Sequence, residues 1–558
     1  MHVPACPRSQ RFARNHARPV ATMNIAAWVE RHGRQRPHAP AIALGGHVHA
    51  TWAEWAGRSA SLAAGLIDQF GLRPGDRVAI VMHNSPEYLE AKFAIWHAGM
   101  VAVPVNARLH RDEIAYILDH SGTELVVTDE AHAEDVAALV GTVDSLQAAV
   151  VAPGDGWTRL AAAPPIPLVD RGPEDPAWLF YTSGTTGRPK GATITNRALL
   201  MASLSYFADI DPISPDDSIL HAGPLSHGGG LYGLPHVAKG AVSVLPASGG
   251  VDPTEIAALL RHWHGVSLFA APTMGKRLVV DPAITDGDLS NLKTIIYGGA
   301  PMYLADLEQA LDVFGPRLAQ IYGQGEAPMT ITALSKDDHA DRAHPRWSER
   351  VQSVGVPRTD VEVRVVDEHD RELPPGEIGE IVVRGPVVTP AYAHNAAETR
   401  RAKIVSVEDG TKGRWHRMGD MGYVDEEGRL WFCGRKAHRV LSAEGPMYSV
   451  CCEAIFNEHP LLLRSALVGL GRPGRHIPVL VVELKQKGKA PAGLTEELLA
   501  LGQTSELTRT IRHILVHPAF PVDIRHNAKI FREELAQWAA QQLPRLAADS
   551  GTTNDSQP

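Results

Sequence analysis

Three features of this sequence predict an α/β protein made of a large multi-sheet N-terminal domain and a small α+β lid at the C-terminus. The chain has 558 residues, too many for one hydrophobic core. From Met23 to about Cys433, short apolar runs alternate with stretches whose apolar residues recur at helical spacing. Each apolar run stops at glycine, proline or a polar cluster, as strands do when they deliver loops to one edge of a parallel-rich sheet.

The elements follow in chain order. DRVAIVM reads as a buried strand, and PEYLEAKFAIWHAG after it as a helix. ELVVTD, PAWLFYTSG, VSLFAAP, LKTIIYGGAP and LAQIYGQGE repeat the strand pattern. GEIGEIVVRGP and MGYVDEEGRLWFCG instead alternate every second residue and carry turn glycines, which predicts β-hairpins in a smaller sheet. Beyond Gly434, ALVGLG and PVLVVELK read as strands, ELTRTIRHILVHP as a helix and FREELAQWAAQQLP as a closing helix. The expected domains are residues 23–434 and a lid over 435–547, which is a normal domain size. An unstructured extension over 1–22 and a disordered tail over 548–558 flank them. The extension holds Arg8, Arg11, Arg14 and Arg18 and no acid, so a targeting segment is its alternative reading.

Bulk properties exclude several functions. A formal net charge of −9 argues against a general nucleic-acid binder. With 44% hydrophobic and 21% charged residues, the composition is that of a soluble globular protein. No apolar run is long enough for an integral membrane segment; AKFAIWHAGMVAVPV is interrupted by Lys92 and His97. The four cysteines, Cys6, Cys433, Cys451 and Cys452, lack zinc-site spacing and imply a reducing, cytoplasmic setting without disulfides. Cys451 and Cys452 are expected in a buried lid helix. None of the 27 histidines falls in a metal-binding pattern, and His262 and His264 belong to a helix-to-strand connection. No feature speaks to oligomeric state.

YTSGTTGRPKG, from Tyr181 to Gly191, carries the first chemistry. Its glycines let backbone N–H groups approach oxygens, and Thr182, Ser183, Thr185 and Thr186 add hydroxyl donors. Lys190 adds a point charge. That combination suits a polyphosphate. It does not fit a Walker loop, because Arg188 and Pro189 separate Gly187 from Lys190 and no hydroxyl residue follows the lysine. GxGxxG is also missing here, which argues against a dinucleotide site. In isolation the string is compatible with a plain surface turn.

The string resembles the signature loop of the adenylate-forming superfamily, which comprises acyl-CoA synthetases, luciferases and adenylation domains. Further motifs occur in the order that superfamily uses. PLSHGGG, with His227, resembles its gate beside the acyl pocket, and YGGAP, with Gly298, Gly299, Ala300 and Pro301, its adenine-binding turn. YGQGE, spanning Tyr322, Gly323, Gln324, Gly325 and Glu326, is similar to its YGxTE element, whose glutamate holds the metal that bridges the ATP phosphates. Asp420 in RMGDMGY matches the ribose-binding aspartate, and Arg435 in CGRKAHR matches the hinge arginine near ribose and phosphate. Lys529 in HNAKIFREEL matches the mobile lid lysine that reaches the carboxylate and α-phosphate. The resemblance covers about Met23 to Leu543.

The resemblance implies ATP-dependent activation of a hydrophobic carboxylic acid to acyl-AMP, with Mg2+ on Glu326 and catalytic roles for Lys529, Glu326 and His227. Thr182, Ser183, Gly184, Thr185, Thr186, Gly187 and Lys190 would grip the phosphates. Alignment and charge neutralisation suffice for this step, because no covalent enzyme intermediate is needed. The large domain resembles fatty-acyl-type CoA ligases, which implies transfer to CoA as the leading expectation. The C-terminal part resembles olefin β-lactone synthetases, in which the β-hydroxyl of the acid displaces AMP without CoA. A non-catalytic acyl- or adenylate-binding protein is the third reading. Two departures stand out: Gly325 replaces the usual threonine, and Ala437 replaces a polar residue at the pivot. The glycines at 228–230 are expected to leave room for a bulky acyl chain.

Overall fold

In a computed structural model the described residues are 23–182, 188–405, 414–486, 488, 490–522 and 530–544. The large N-terminal part holds three sheets. In the first, strands Ala148–Val151, Leu125–Thr128, Arg77–Val81, Val101–Val105 and Pro176–Thr182 lie parallel in that order. Lys190–Thr195 closes its edge antiparallel, with Thr182 opposite Lys190. The phosphate-type loop therefore joins a β-hairpin, not a strand to a helix, as the missing Walker pattern implied.

The second sheet has six parallel neighbours: Leu318–Gln324, Leu292–Gly298, Val266–Ala270, Ser218–Leu220, Val242–Leu245 and Pro40–Leu44. Antiparallel strands cap it, Ala327–Leu334 and Val356–Pro357 at one edge and His47–Thr51 at the other. Parallel strands need both faces covered, which explains the near-continuous apolar runs in the sequence. Helices supply that cover. Pro86–His97 starts on the Ser85 cap, with proline in its first turn, and buries nearly every side chain.

The third sheet is the expected hairpin unit, with Glu362–Val366, Gly379–Arg384 and Arg414–Val424 antiparallel, and Lys403–Val405 and Leu430–Arg435 both pairing Arg414–Val424. The lid that follows centres on Leu462–Leu470, Ile477–Leu484 and His513–Val516. Cys451 and Cys452 lie on its helix Ser449–Asn457, as expected.

One element is corrected. ELTRTIRHILVHP is not a helix: it is turn followed by strand His513–Val516, which pairs parallel with Ile477–Leu484. The lid helix lies upstream, at Leu494–Gly502. Among the described residues no helix is long and apolar enough to cross a membrane.

Candidate active site

Three of the predicted site segments lie at the carboxyl ends of parallel strands, where open α/β sheets bind ligands. Thr182 ends one strand and Gln324 another, and Gly298 ends the neighbour of the latter. A side chain at Gly298 would meet Ile321 O at 2.4 Å, so only glycine lets the 298–301 turn lie against the Tyr322–Gly325 segment.

Glu326 is buried, at 6% exposure. Its Oε1 accepts from the Tyr392 hydroxyl at 2.9 Å and from Thr182 Oγ1 at 3.3 Å. Its backbone carbonyl accepts from Thr389 N–H at 2.6 Å. Oε2 has no hydrogen-bond partner among the described residues. A buried carboxylate oxygen left open costs free energy unless a cation or donor arrives. It is a hard oxygen ligand, so the donor set fits Mg2+, which binds through one or two carboxylates plus phosphate oxygens. Burial, then the charge of Glu326, pushes the Tyr392 hydroxyl far above the ordinary tyrosine range, which keeps it a donor.

Asp420 forms a second buried carboxylate, paired in register with Arg435 across the hairpin sheet. Its Oδ2 accepts from the Tyr322 hydroxyl and Gln324 Nε2, each at 2.6 Å. Its Oδ1 lies 3.2 Å from Arg435 Nη1, an ion pair without hydrogen-bond alignment, and no donor among the described residues satisfies it. Burial pushes the Asp420 carboxyl up, while Arg435, Tyr322 and Gln324 pull it back. The nearby Asp420 charge in turn raises Arg435.

Lys190 does not point free into solvent. Its Nζ lies 3.0 Å from Glu398 Oε2 and 5.7 Å from the centre of the Tyr392 ring. Gly325 now has a reason. A Cβ there would approach Phe180 Cδ1 to 2.4 Å and Thr182 Cγ2 to 2.6 Å, so Thr182 occupies the space a threonine at 325 would need.

His227 precedes helix Gly228–Lys239, accepts or donates to Ser226 Oγ at 2.9 Å and stacks edge-on against Phe180 at 5.3 Å. Phe180 thus links it to Gly325. His227 also lines a cavity of about 310 Å³, together with Phe269, Met274, Met82, His83 and Asn84. Asn84 clamps the segment before His227, donating to His221 O at 3.0 Å and Gly223 O at 2.8 Å and accepting from Leu225 N–H at 2.9 Å. Of the glycines expected to leave acyl room, Gly228 lines this cavity. Added Cβ atoms at 228, 229 and 230 would meet Phe269 and Met329, Gly223 O and Leu225 O respectively, so the three glycines also serve close packing of the helix start.

Ser183, Gly184, Thr185, Thr186, Gly187 and Lys529 lie outside the described residues. The segment holding Lys529 is bounded by a bridge between Val522 and Ile530 and by Arg532, whose guanidinium grips buried Glu453 at 2.5 and 2.8 Å. Sequence reasoning missed Tyr392, Thr389 and Glu398. They fall within VVTPAYAHNAAET, a stretch with no chemical signature of its own.

A parallel-rich large part carrying two buried carboxylates, followed by a small α+β part, is the architecture of the adenylate-forming enzymes. Residues 29–393 match the family model described as AMP-binding enzyme, and the chain belongs to that family. It is 33% identical to an olefin beta-lactone synthetase of Xanthomonas campestris pv. campestris, over 95% of this chain and 99% of the relative. It is 34% identical to a feruloyl-CoA synthase of Amycolatopsis sp, over 81% and 87% respectively. Among solved structures, ATP-bound MatB from Rhodopseudomonas palustris superposes with a TM-score of 0.81 at 25% identity, covering 94% of this chain and 99% of that one.

Proposed function

We propose that the protein activates a carboxylic acid with ATP, giving acyl-AMP and pyrophosphate. One observation carries this: Glu326, between two strands of the second sheet, and Asp420, within the hairpin sheet, are both buried, each with one oxygen saturated and the other without a hydrogen bond among the described residues. The open oxygen of Asp420 is suited to a ribose hydroxyl. Glu326, held by Tyr392 and Thr182, would hold Mg2+, which when bound neutralises phosphate charge. The acid carboxylate attacks the α-phosphorus and pyrophosphate leaves. The loop 182–190 grips the phosphates, with Lys190 exchanging Glu398 for a phosphate oxygen, and Lys529 brings charge to the reacting carboxylate. His227 stands between the cavity and Phe180, so the acyl chain enters from the cavity side.

For the acceptor, the length of the match favours the intramolecular route. The β-lactone synthetase similarity runs through the lid, and SAEGPMYSV departs there from the glycine-rich CoA-ligase loop. The hydroxyl oxygen of a β-hydroxy acid attacks the acyl carbon, loses its proton, and AMP leaves. Transfer to CoA is the second reading, supported by the feruloyl-CoA synthase similarity. The large domain over 23–434 and the lid over 435–547 remain the proposed units. A reducing, cytoplasmic setting accords with the free thiols of Cys433, Cys451 and Cys452.

The test incubates enzyme, ATP, Mg2+ and a long β-hydroxy acid with and without CoA, and weighs the product. Acid minus one water, formed without CoA, is expected. Thioester formed only with CoA selects the second reading, and absence of acid-dependent pyrophosphate–ATP exchange with every acid removes both.

A further inference from the structure

Away from the carboxylate pair, the loop ends of three parallel strands meet at a histidine–aspartate–histidine cluster. His83 follows strand Arg77–Val81, Asp129 and His132 follow Leu125–Thr128, and Ala107 follows Val101–Val105. His83 Nδ1 lies 2.8 Å from Asp129 Oδ2, and His132 Nδ1 lies 2.5 Å from Asp129 Oδ1. The two rings sit 4.9 Å apart, and one ligand atom from each residue falls within 4.8 Å of the others. Asp129 and His132 are largely buried, whereas His83 is exposed.

The contacts of His132 are over-committed for a neutral ring. Its Nε2 faces the Ala107 carbonyl at 2.8 Å while its Nδ1 faces Asp129. A neutral imidazole has one N–H, so only one contact has a donor. Either the ring carries an extra proton, or a cation replaces the proton at Nδ1. The second arrangement is the usual one for a metal-bound histidine, whose remote N–H donates to a backbone carbonyl and so orients the ring. Two imidazole nitrogens and one carboxylate make a zinc-type ligand set, with room for water as the remaining ligand.

We propose that His83, Asp129 and His132 form a second cation site, separate from Glu326, which takes a divalent first-row transition metal of the zinc type. The metal exchanges for the Nδ1 protons and ties two strand ends together, while the His132 Nε2 contact with Ala107 O holds the third. His83 and Ala107 line the cavity beside His227, and Asn84, next to His83, clamps the segment before that histidine. Occupancy therefore braces the wall of the cavity. Nitrogen donors separate this site from the nucleotide-associated one, since Mg2+ prefers oxygen.

The test titrates Co2+ into the full, EDTA-treated chain without ATP, reading visible absorption and thermal unfolding. One equivalent is expected to bind with the absorption of a low-coordinate nitrogen–oxygen site, raising Tm, and Zn2+ should displace it. His83→Gln and His132→Gln should each weaken binding at least tenfold and abolish the Tm rise. Their unfolding in EDTA reports whether they fold, and His83→Gln, at an exposed position, carries the test if His132→Gln does not. Unchanged stoichiometry and affinity in His83→Gln, or no Co2+-dependent Tm rise in the unsubstituted chain, would overturn the site and leave an imidazolium–carboxylate clamp.

Discussion

At Gly325 the departure from the family motif matches the tight packing of Phe180 and Thr182 around it. The threonine usual there would place its Cβ 2.6 Å from the Thr182 methyl and 2.4 Å from Phe180. Gly325→Thr should therefore destabilise the fold by about 1–3 kcal/mol, the usual cost of overpacking, and slow acid-dependent exchange. Thr182→Ser in that background should recover part of the loss, and faster exchange in Gly325→Thr alone would contradict the packing. Asp420→Asn removes the charged acceptor of Tyr322 and Gln324. Nucleotide binding should weaken by about 1.5–3 kcal/mol, roughly 10- to 150-fold, when AMP is titrated against both proteins. Equal affinity would place the ribose elsewhere. Glu326, Asp420 and Arg435 were legible because each sits in a short string of chemically distinctive neighbours. Tyr392 was not: its hydroxyl reaches Glu326 from a stretch with no motif, and only the fold brings the two together.

At the scale of elements, helix Pro86–His97 buries Lys92 against Trp96 and Trp178, with Nζ 5.6 and 5.5 Å from the ring centres. Burial lowers Lys92 to about 7, and its charge, after burial itself, helps hold His221 down to about 3. Between pH 7 and the ordinary lysine value the unfolded chain holds the extra proton. Stability from this group therefore rises with pH across that window, by about 1.4 kcal/mol per pH unit, and is flat below it. Lys92→Met removes the slope. Urea unfolding of both proteins should diverge by roughly 2 kcal/mol between pH 7 and 9, and parallel curves would show that Lys92 is not depressed. The sequence showed Lys92 only as an interruption of an apolar run. The misread lid segment is similar in kind. Leu507, Ile511 and Leu515 fall at helical spacing, yet Leu507 is 50% exposed and His513–Val516 instead fills the edge beside Ile477–Leu484. Tertiary pairing overrides a local period when an open strand edge is available. The His83–Asp129–His132 cluster escaped for the same reason, because strands set side by side by the sheet supply its members.

For the whole molecule, the order of sheets and lid was legible because strand-ending loops and motif order both report chain direction. The join between large part and lid was less so. Arg435 and Lys436 both hold carboxylates of the hairpin sheet, Asp420 at 3.2 Å and Glu380 at 2.7 Å, so the side chains at the join belong to the large part. Lys529→Ala should reduce acyl-AMP formation at least a hundredfold while sparing turnover of synthetic acyl-AMP, since charge at the reacting carboxylate serves only the first step. Equal loss of both would deny that lysine its role. The Asp420–Arg435 pair has one more consequence. It joins the buried carboxylate proposed to take the ribose to the first residue of the proposed lid, so a lid that turned about this join would be thermodynamically linked to nucleotide occupancy. If one lid angle strengthens nucleotide binding by some factor, nucleotide must favour that angle by the same factor. A substitution at the join would then appear in an AMP titration before it appeared in any rate.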